Sequence, residues 1–137
     1  MITSTTTLVP DNPAAAYAAY RQAASAVFLA GTQGLKYKKD HYDLAVDLSK
    51  AGMQYIEERE DDIVIGAMTP LWQIKISPVI QEFAGGAISK AISDVADKNV
   101  QRYGTLGGVI SGKAPFSVLC RSSCPSTSMY SCRIKAA

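Results

Sequence analysis

The sequence predicts a mainly α protein: a small helical domain of about three principal helices, with an N-terminal arm and a C-terminal β-hairpin or extended tail. Three observations carry that expectation. The chain has 137 residues, 47% apolar and 19% charged, which suits one buried core and not a disordered chain. Apolar side chains recur at helical spacing through three long segments. Turn-forming residues gather toward both ends.

Taken in order, residues 1–12 are rich in Thr, show no apolar periodicity and form the arm. Asn12 and Pro13 then read as a helix start, because Asn caps through its side-chain oxygen and Pro needs no donor partner at the first helical position. The first helix carries Tyr17, Tyr20, Ala24, Val27 and Phe28 on one face and stops at Gly31. A second helix is expected from Asp40 to about Glu60, with Leu44, Leu48, Ala51 and Tyr55 as its stripe. Residues 63–76 read two ways, as a small hairpin or as one short helix interrupted at Pro70. Ser77 and Pro78 open the longest helix, which runs to Tyr103, is stopped by Gly104 and is weakest at Gly85 and Gly86. The arm is thus 1–12, the helical body 13–103 and a Gly-rich basic tail 104–137, with strands expected at 116–121 and 129–135. Removing the tail is expected to leave the body folded.

Charge divides the chain more sharply than its net of +2 suggests. The last forty residues hold Lys98, Arg102, Lys113, Arg121, Arg133 and Lys135 and no carboxylate, whereas the preceding part has eight basic against twelve acidic residues. Asp40, Asp43, Asp47, Glu57, Glu58, Glu60, Asp61 and Asp62 make an acidic face in that part. A basic tail and an acidic body satisfy each other by contact within one chain or between neighbours, so both sets read as oligomer contacts, the basic one alternatively as a polyanion site. Nucleic acid is the less favoured partner, since the tail has few stacking aromatics and matches no nucleic-acid module.

Few residues suggest chemistry. Cys120, Cys124 and Cys132 stand three and seven residues apart, and a fourth zinc ligand would have to be His41 or come from another chain, so no metal is expected. Under oxidising conditions a Cys120–Cys132 disulfide across the hairpin is expected, leaving Cys124 free or paired to another chain. His41 reads as a helix-terminal residue. Gly104, Gly107 and Gly108 follow a helix, lack the Gly-Lys-Ser/Thr ending of a phosphate loop and are not expected to open a helix, so they are set aside. No cofactor is implied and no catalytic residue stands out.

No Lys or Arg precedes the first apolar stretch, which argues for cytoplasmic synthesis, and residues 14–30 are too short and too polar to span a bilayer. Arms at both ends of a small helical body are a device of symmetric assemblies. The expected function is a non-enzymatic structural or assembly subunit of a homo-oligomer, a virus-particle component such as a connector, tail or capsid accessory being one version. The alternative is a binding module whose basic tail engages nucleic acid or another polyanion. No motif identifies a family.

Overall fold

The computed structural model describes residues 2–35, 38–60, 62–95, 97–111, 126–127 and 131–135. The chain is mixed α/β, built on a parallel three-stranded sheet, an antiparallel four-stranded sheet and a set of short helices. This overturns the mainly helical expectation.

In the first sheet the order is β1 (Thr3–Leu8), β3 (His41–Asp47), β2 (Ala26–Leu29), all parallel. The Thr-rich segment read as a free arm is therefore an edge strand, with Thr3 opposite His41 and Leu8 opposite Val46. His41 lies at the start of β3, where its two ring nitrogens share hydrogen bonds with the hydroxyls of Thr3 at 2.9 Å and Thr5 at 3.2 Å. Between β1 and β2 runs α1 (Pro13–Gln22), whose start matches the expected cap: the Asn12 Oδ1 accepts from the Ala15 amide at 2.8 Å. The helix packs on β2 and β3, and its Tyr20 stacks on Phe28 with centroids 4.4 Å apart. Central strand β3 is buried at both Ala45 and Val46, which point to opposite faces.

The second half of the first expected helix and the start of the second are strands. Val27, Phe28 and Leu29 continue a helical stripe, yet as β-branched, aromatic and apolar neighbours they also suit a strand, and pairing with β3 decides between the two. In residues 41–47 the positions Tyr42, Leu44 and Val46 alternate with His41, Asp43 and Asp47, Ala45 alone breaking the alternation, a period-two pattern hidden behind the wider spacing of Leu44, Leu48 and Ala51. The acidic face consequently lies along β3 and the next hairpin and not along a helix.

The second sheet has the order β4 (Ile56–Glu58), β5 (Asp62–Gly66), β7 (Ser131–Lys135), β6 (Ser126–Thr127), all antiparallel. Residues 63–76 prove to be neither hairpin nor single helix: β5 leads through Pro70 into α2 (Leu71–Ile76). The expected long helix is broken into α3 (Pro78–Glu82), a 3-10 turn over Phe83–Gly86, α4 (Ala87–Val95) and α5 (Lys98–Tyr103). The weak point is where the sequence put it, but Ala84 and Gly85 are left-handed, at φ 48° and 62°, so the chain turns there and does not merely bend. Finally α6 (Leu106–Ser111) sends Leu106 and Val109 into the main core, beside Ile63, Ile65, Leu71, Ile74, Ile80, Ile88 and Ile92.

The boundary drawn at residue 104 thus falls inside the core, and β7 pairs with β5, placing Lys135 opposite Asp62. Cys132 lies opposite Ile65 on one side and Thr127 on the other. Cys120 and the expected strand at 116–121 lie outside the described residues, and no disulfide occurs among those described.

Thr69, fully buried, joins the helical layer to the second sheet: its hydroxyl accepts from the Tyr55 amide at 3.1 Å and donates to the Tyr55 carbonyl at 3.0 Å. Thr69→Val keeps the shape and removes both bonds, so denaturant unfolding should report a loss of about 1–3 kcal/mol. Deleting residues 104–137 removes Leu106 and Val109 from the core, so the truncated chain should lose cooperative unfolding; a retained sharp transition would contradict this packing.

Candidate functional site

In an open parallel sheet the loops at the carboxyl ends of the strands are the usual ligand positions, where neighbouring connections diverge. Here β1 and β2 flank β3, and β2 ends in the turn at residues 30–35. The turn folds tightly. Gly31 and Thr32 are both left-handed, at φ 43° and 51°, the Thr32 amide donates to the Ala30 carbonyl, and the Leu35 amide donates to the Thr32 carbonyl at 3.1 Å. The amides of Gly31 and Gly34 have no acceptor among the described residues. Gly34 has open space where a side chain would stand.

A second glycine-bearing segment lies directly against this turn. A Cβ on Gly31 would overlap the Tyr103 carbonyl oxygen and stand 3.2 Å from the Thr105 amide nitrogen. Residues 104–107 are in turn pinned to the loop after β5. The Leu71 amide donates to the Gly104 carbonyl at 2.9 Å, the Leu106 amide to Thr69 at 3.0 Å and the Gly107 amide to Ala67 at 2.8 Å. Gly104 is buried, and a Cβ on it would come to 2.5 Å from the Val100 carbonyl oxygen. Two turns from distant parts of the sequence therefore form one rigid edge whose exposed side presents backbone amides and the exposed Thr32. Backbone donors grouped on a strand-end turn are the arrangement that receives phosphate oxygens.

Of the basic residues singled out in the sequence, Arg102 and Lys98 lie on α5, both exposed, and Arg102 immediately precedes the Tyr103 carbonyl that meets Gly31. Arg133 and Lys135 are on β7 in the other sheet, while Lys113, Arg121 and Cys124 lie outside the described residues. Lys38 and Lys39, which sequence reasoning passed over, follow the glycine turn and are exposed.

Of the acidic residues, Asp47 reaches this end of the sheet, opposite Leu29 where β2 ends, and the other described ones lie elsewhere. Asp43 and Asp47 are on β3, Asp47 holding the Ser49 amide at 2.9 Å. Asp40 precedes β3 and accepts from the Tyr42 hydroxyl at 3.3 Å; burial first, then the Asp40 charge, raises the Tyr42 phenol above its ordinary value. Glu57 and Glu58 are on β4, Asp62 is on β5, and Asp61 lies outside the described residues. Glu58, Glu60, Asp62 and Glu82 rim an open cleft of about 250 Å³ floored by Ile63, Val79 and Phe83. Arg59 there pairs with Glu57 at 3.1 Å, an exposed contact worth under ~1 kcal/mol. Among the described residues no group of three His, Cys, Asp or Glu side chains is arranged to hold a metal ion. No described helix is long and apolar enough to cross a membrane.

Sequence reasoning noticed Gly104, Gly107 and Gly108 but set them aside; they do open a helix, α6. Gly31 was read only as a helix stop. The missed signal was the strand character of residues 26–29, which turns the Gly31–Gly34 pair from a helix end into a strand-end turn.

Gly31→Ala should destabilise the chain by more than ~1 kcal/mol, since it adds both a left-handed backbone strain and a backbone overlap. Gly34→Ala should be close to neutral. Thermal unfolding of the two variants checks the contrast.

Residues 3–127 match the family described as the FAD binding domain in molybdopterin dehydrogenase. The FAD-subunit of nicotinate dehydrogenase from Eubacterium barkeri is 30% identical over 96 residues, 67% of this chain and 32% of that protein. The cyanide-inactivated Cu,Mo-CO dehydrogenase superposes with a TM-score of 0.69 at 27% identity, over 79% of this chain and 40% of that one. Carbon monoxide dehydrogenase from Hydrogenophaga pseudoflava, in a form lacking the Mo-pyranopterin moiety, gives 0.69 at 26% identity, over 77% and 38%. The chain thus spans about a third of the curated relative and two-fifths of these solved chains. These likenesses are to redox enzymes, and they overturn the expected non-enzymatic assembly subunit, with its homo-oligomeric partners and its place in a virus particle, as well as the polyanion-binding alternative. Opposed surface charge and terminal extensions describe many folds, whereas the match follows the chain from the first strand through both glycine turns. The chain belongs to the family of FAD-binding domains of molybdopterin dehydrogenases.

Proposed function

We propose that this chain binds FAD as the flavin-carrying part of a molybdopterin-type oxidoreductase, with the diphosphate of the dinucleotide received by the turn at 30–35 and its partner segment at 103–105. The observation that carries the reading is the lodging of the Gly31 turn against Tyr103 and Thr105, at the carboxyl end of a parallel strand and inside the matched region. The residues present fit the group. Gly34 leaves room for close approach, the Gly31 and Gly34 amides are donors without acceptors among the described residues, and exposed Arg102 adjoins the Tyr103 carbonyl that meets Gly31.

Bound FAD supplies two-electron redox chemistry that side chains do not provide. The chain's own part is to bind and orient. The Gly31 and Gly34 amides and the Thr32 hydroxyl would hold phosphate oxygens, and exposed Arg102 would offset their charge. The bonds pinning residues 104–107 to residues 67–71 keep the edge from shifting. As a proposal for the whole protein, the molybdenum cofactor and the substrate site are carried by a separate polypeptide, since the curated relative is named as a FAD-subunit.

Titration of the purified chain with FAD, followed by flavin fluorescence, should show saturable one-to-one binding. Gly34→Asp sets a side chain and a negative charge at the open approach and should weaken FAD at least ~10-fold with the unfolding temperature unchanged. Arg102→Ala should weaken it less, by ~2–10-fold, and reduce the salt dependence of binding. Absence of saturable binding by the unaltered chain would refute the proposal.

A further inference from the structure

Tyr103 occupies an unusual position. Its carbonyl is the atom that meets Gly31, and the next residues, Gly104 and Thr105, are buried and held by hydrogen bonds, so its Cα is fixed at the margin of the cradle. Its side chain is nonetheless 58% exposed, the highest value among the large hydrophobic side chains described. Of the other aromatic residues near the first sheet, Tyr20 stacks on Phe28 and the Tyr42 hydroxyl bonds Asp40, while Tyr17 lies on α1, away from the cradle's main chain, and is less exposed, at 37%. Tyr103 has neither a ring partner nor a hydrogen bond from its hydroxyl among the described residues. Trp72 and Ile76 are also exposed, but they project from α2 and adjoin no free amide.

An exposed ring on a residue whose own carbonyl meets the Gly31 turn suits a ligand that joins phosphate to a planar aromatic ring. We infer that the Tyr103 ring is the stacking platform for one ring system of the dinucleotide, adenine or isoalloxazine, an inference that rests on the FAD reading above. A base stacked on an aromatic side chain typically loses about ten-fold in affinity when that side chain is cut back to Ala.

The test uses the full chain, with FAD binding followed by fluorescence and competition by ADP and by FMN. Tyr103→Ala should bind FAD ~10-fold more weakly, Tyr103→Phe should stay within ~2-fold of the parent, and both should unfold at the parent temperature, because the ring buries little. Loss of ADP affinity in Tyr103→Ala would assign the ring to adenine, and loss of FMN affinity to the flavin. Unchanged FAD binding by Tyr103→Ala would overturn the inference, as would an equal loss in Tyr103→Phe, which would point to the hydroxyl. If Gly34→Asp abolishes binding while Tyr103→Ala does not weaken it, the cradle stands and the platform falls. If the parent does not bind FAD, both fall.

Discussion

The close approach of Gly31 to the main chain at Tyr103 governs much of the architecture. It is a contact between backbones that no side chain can enter, and it fixes how the parallel sheet meets the helical layer. Around it the hydrogen bonds form a closed set. Residues 104–107 are tied to 67–71, Thr69 is tied to Tyr55, and the Met68 amide reaches the Met53 carbonyl at 2.9 Å. A shift at one of these joints would strain the others, because each bond involves a buried or half-buried main-chain group whose loss of a partner is costly. At Gly31 and Gly34 the turn carries no side chain, and that gives a ligand access to their amides.

Parts of this were legible in the sequence. Asn12 and Pro13 announced α1, Gly104 ended α5, and Gly85 and Gly86 marked a break, because caps and helix-breaking glycines act locally. Strand identity was not legible. Residues 26–29 and 41–47 are strands because they pair with each other, and nothing within either segment alone excludes a helix strongly enough. The site suffered from the same blindness. Gly31 and Thr105 lie far apart in the chain, and only the completed fold brings them within contact, so the glycine run at 104–108 had nothing beside it to give it meaning.

Charge misled for a related reason. Counted along the chain, acidic and basic residues separate into halves, and that separation suggested mutual attraction as an organising force. In space the carboxylates spread over β3, β4, β5 and the cleft near Phe83, while the cations divide between α5, the segment after the glycine turn and β7. At the end of the sheet where the proposed diphosphate position lies stand Arg102, one residue from the Tyr103 carbonyl, and Asp47, opposite Leu29 where β2 ends, whereas Lys38 and Lys39 precede β3 at the other end. A cation placed beside converging amides matters more for binding an anion than the net charge of either half.

The order of strands in the parallel sheet also bears on how the molecule is made. β1 and β2 pair only with β3, which follows both in the chain, so a nascent polypeptide that has reached Asp40 holds two strands and one ten-residue helix with nothing to pair them. A helix of that length is marginal by itself. The first durable contacts of the amino-terminal third must await residues 41–47, and their formation closes loops reaching back to Thr3. Folding of this part is therefore gated by one central strand, with a high contact order and a slow, late closure as its kinetic signature.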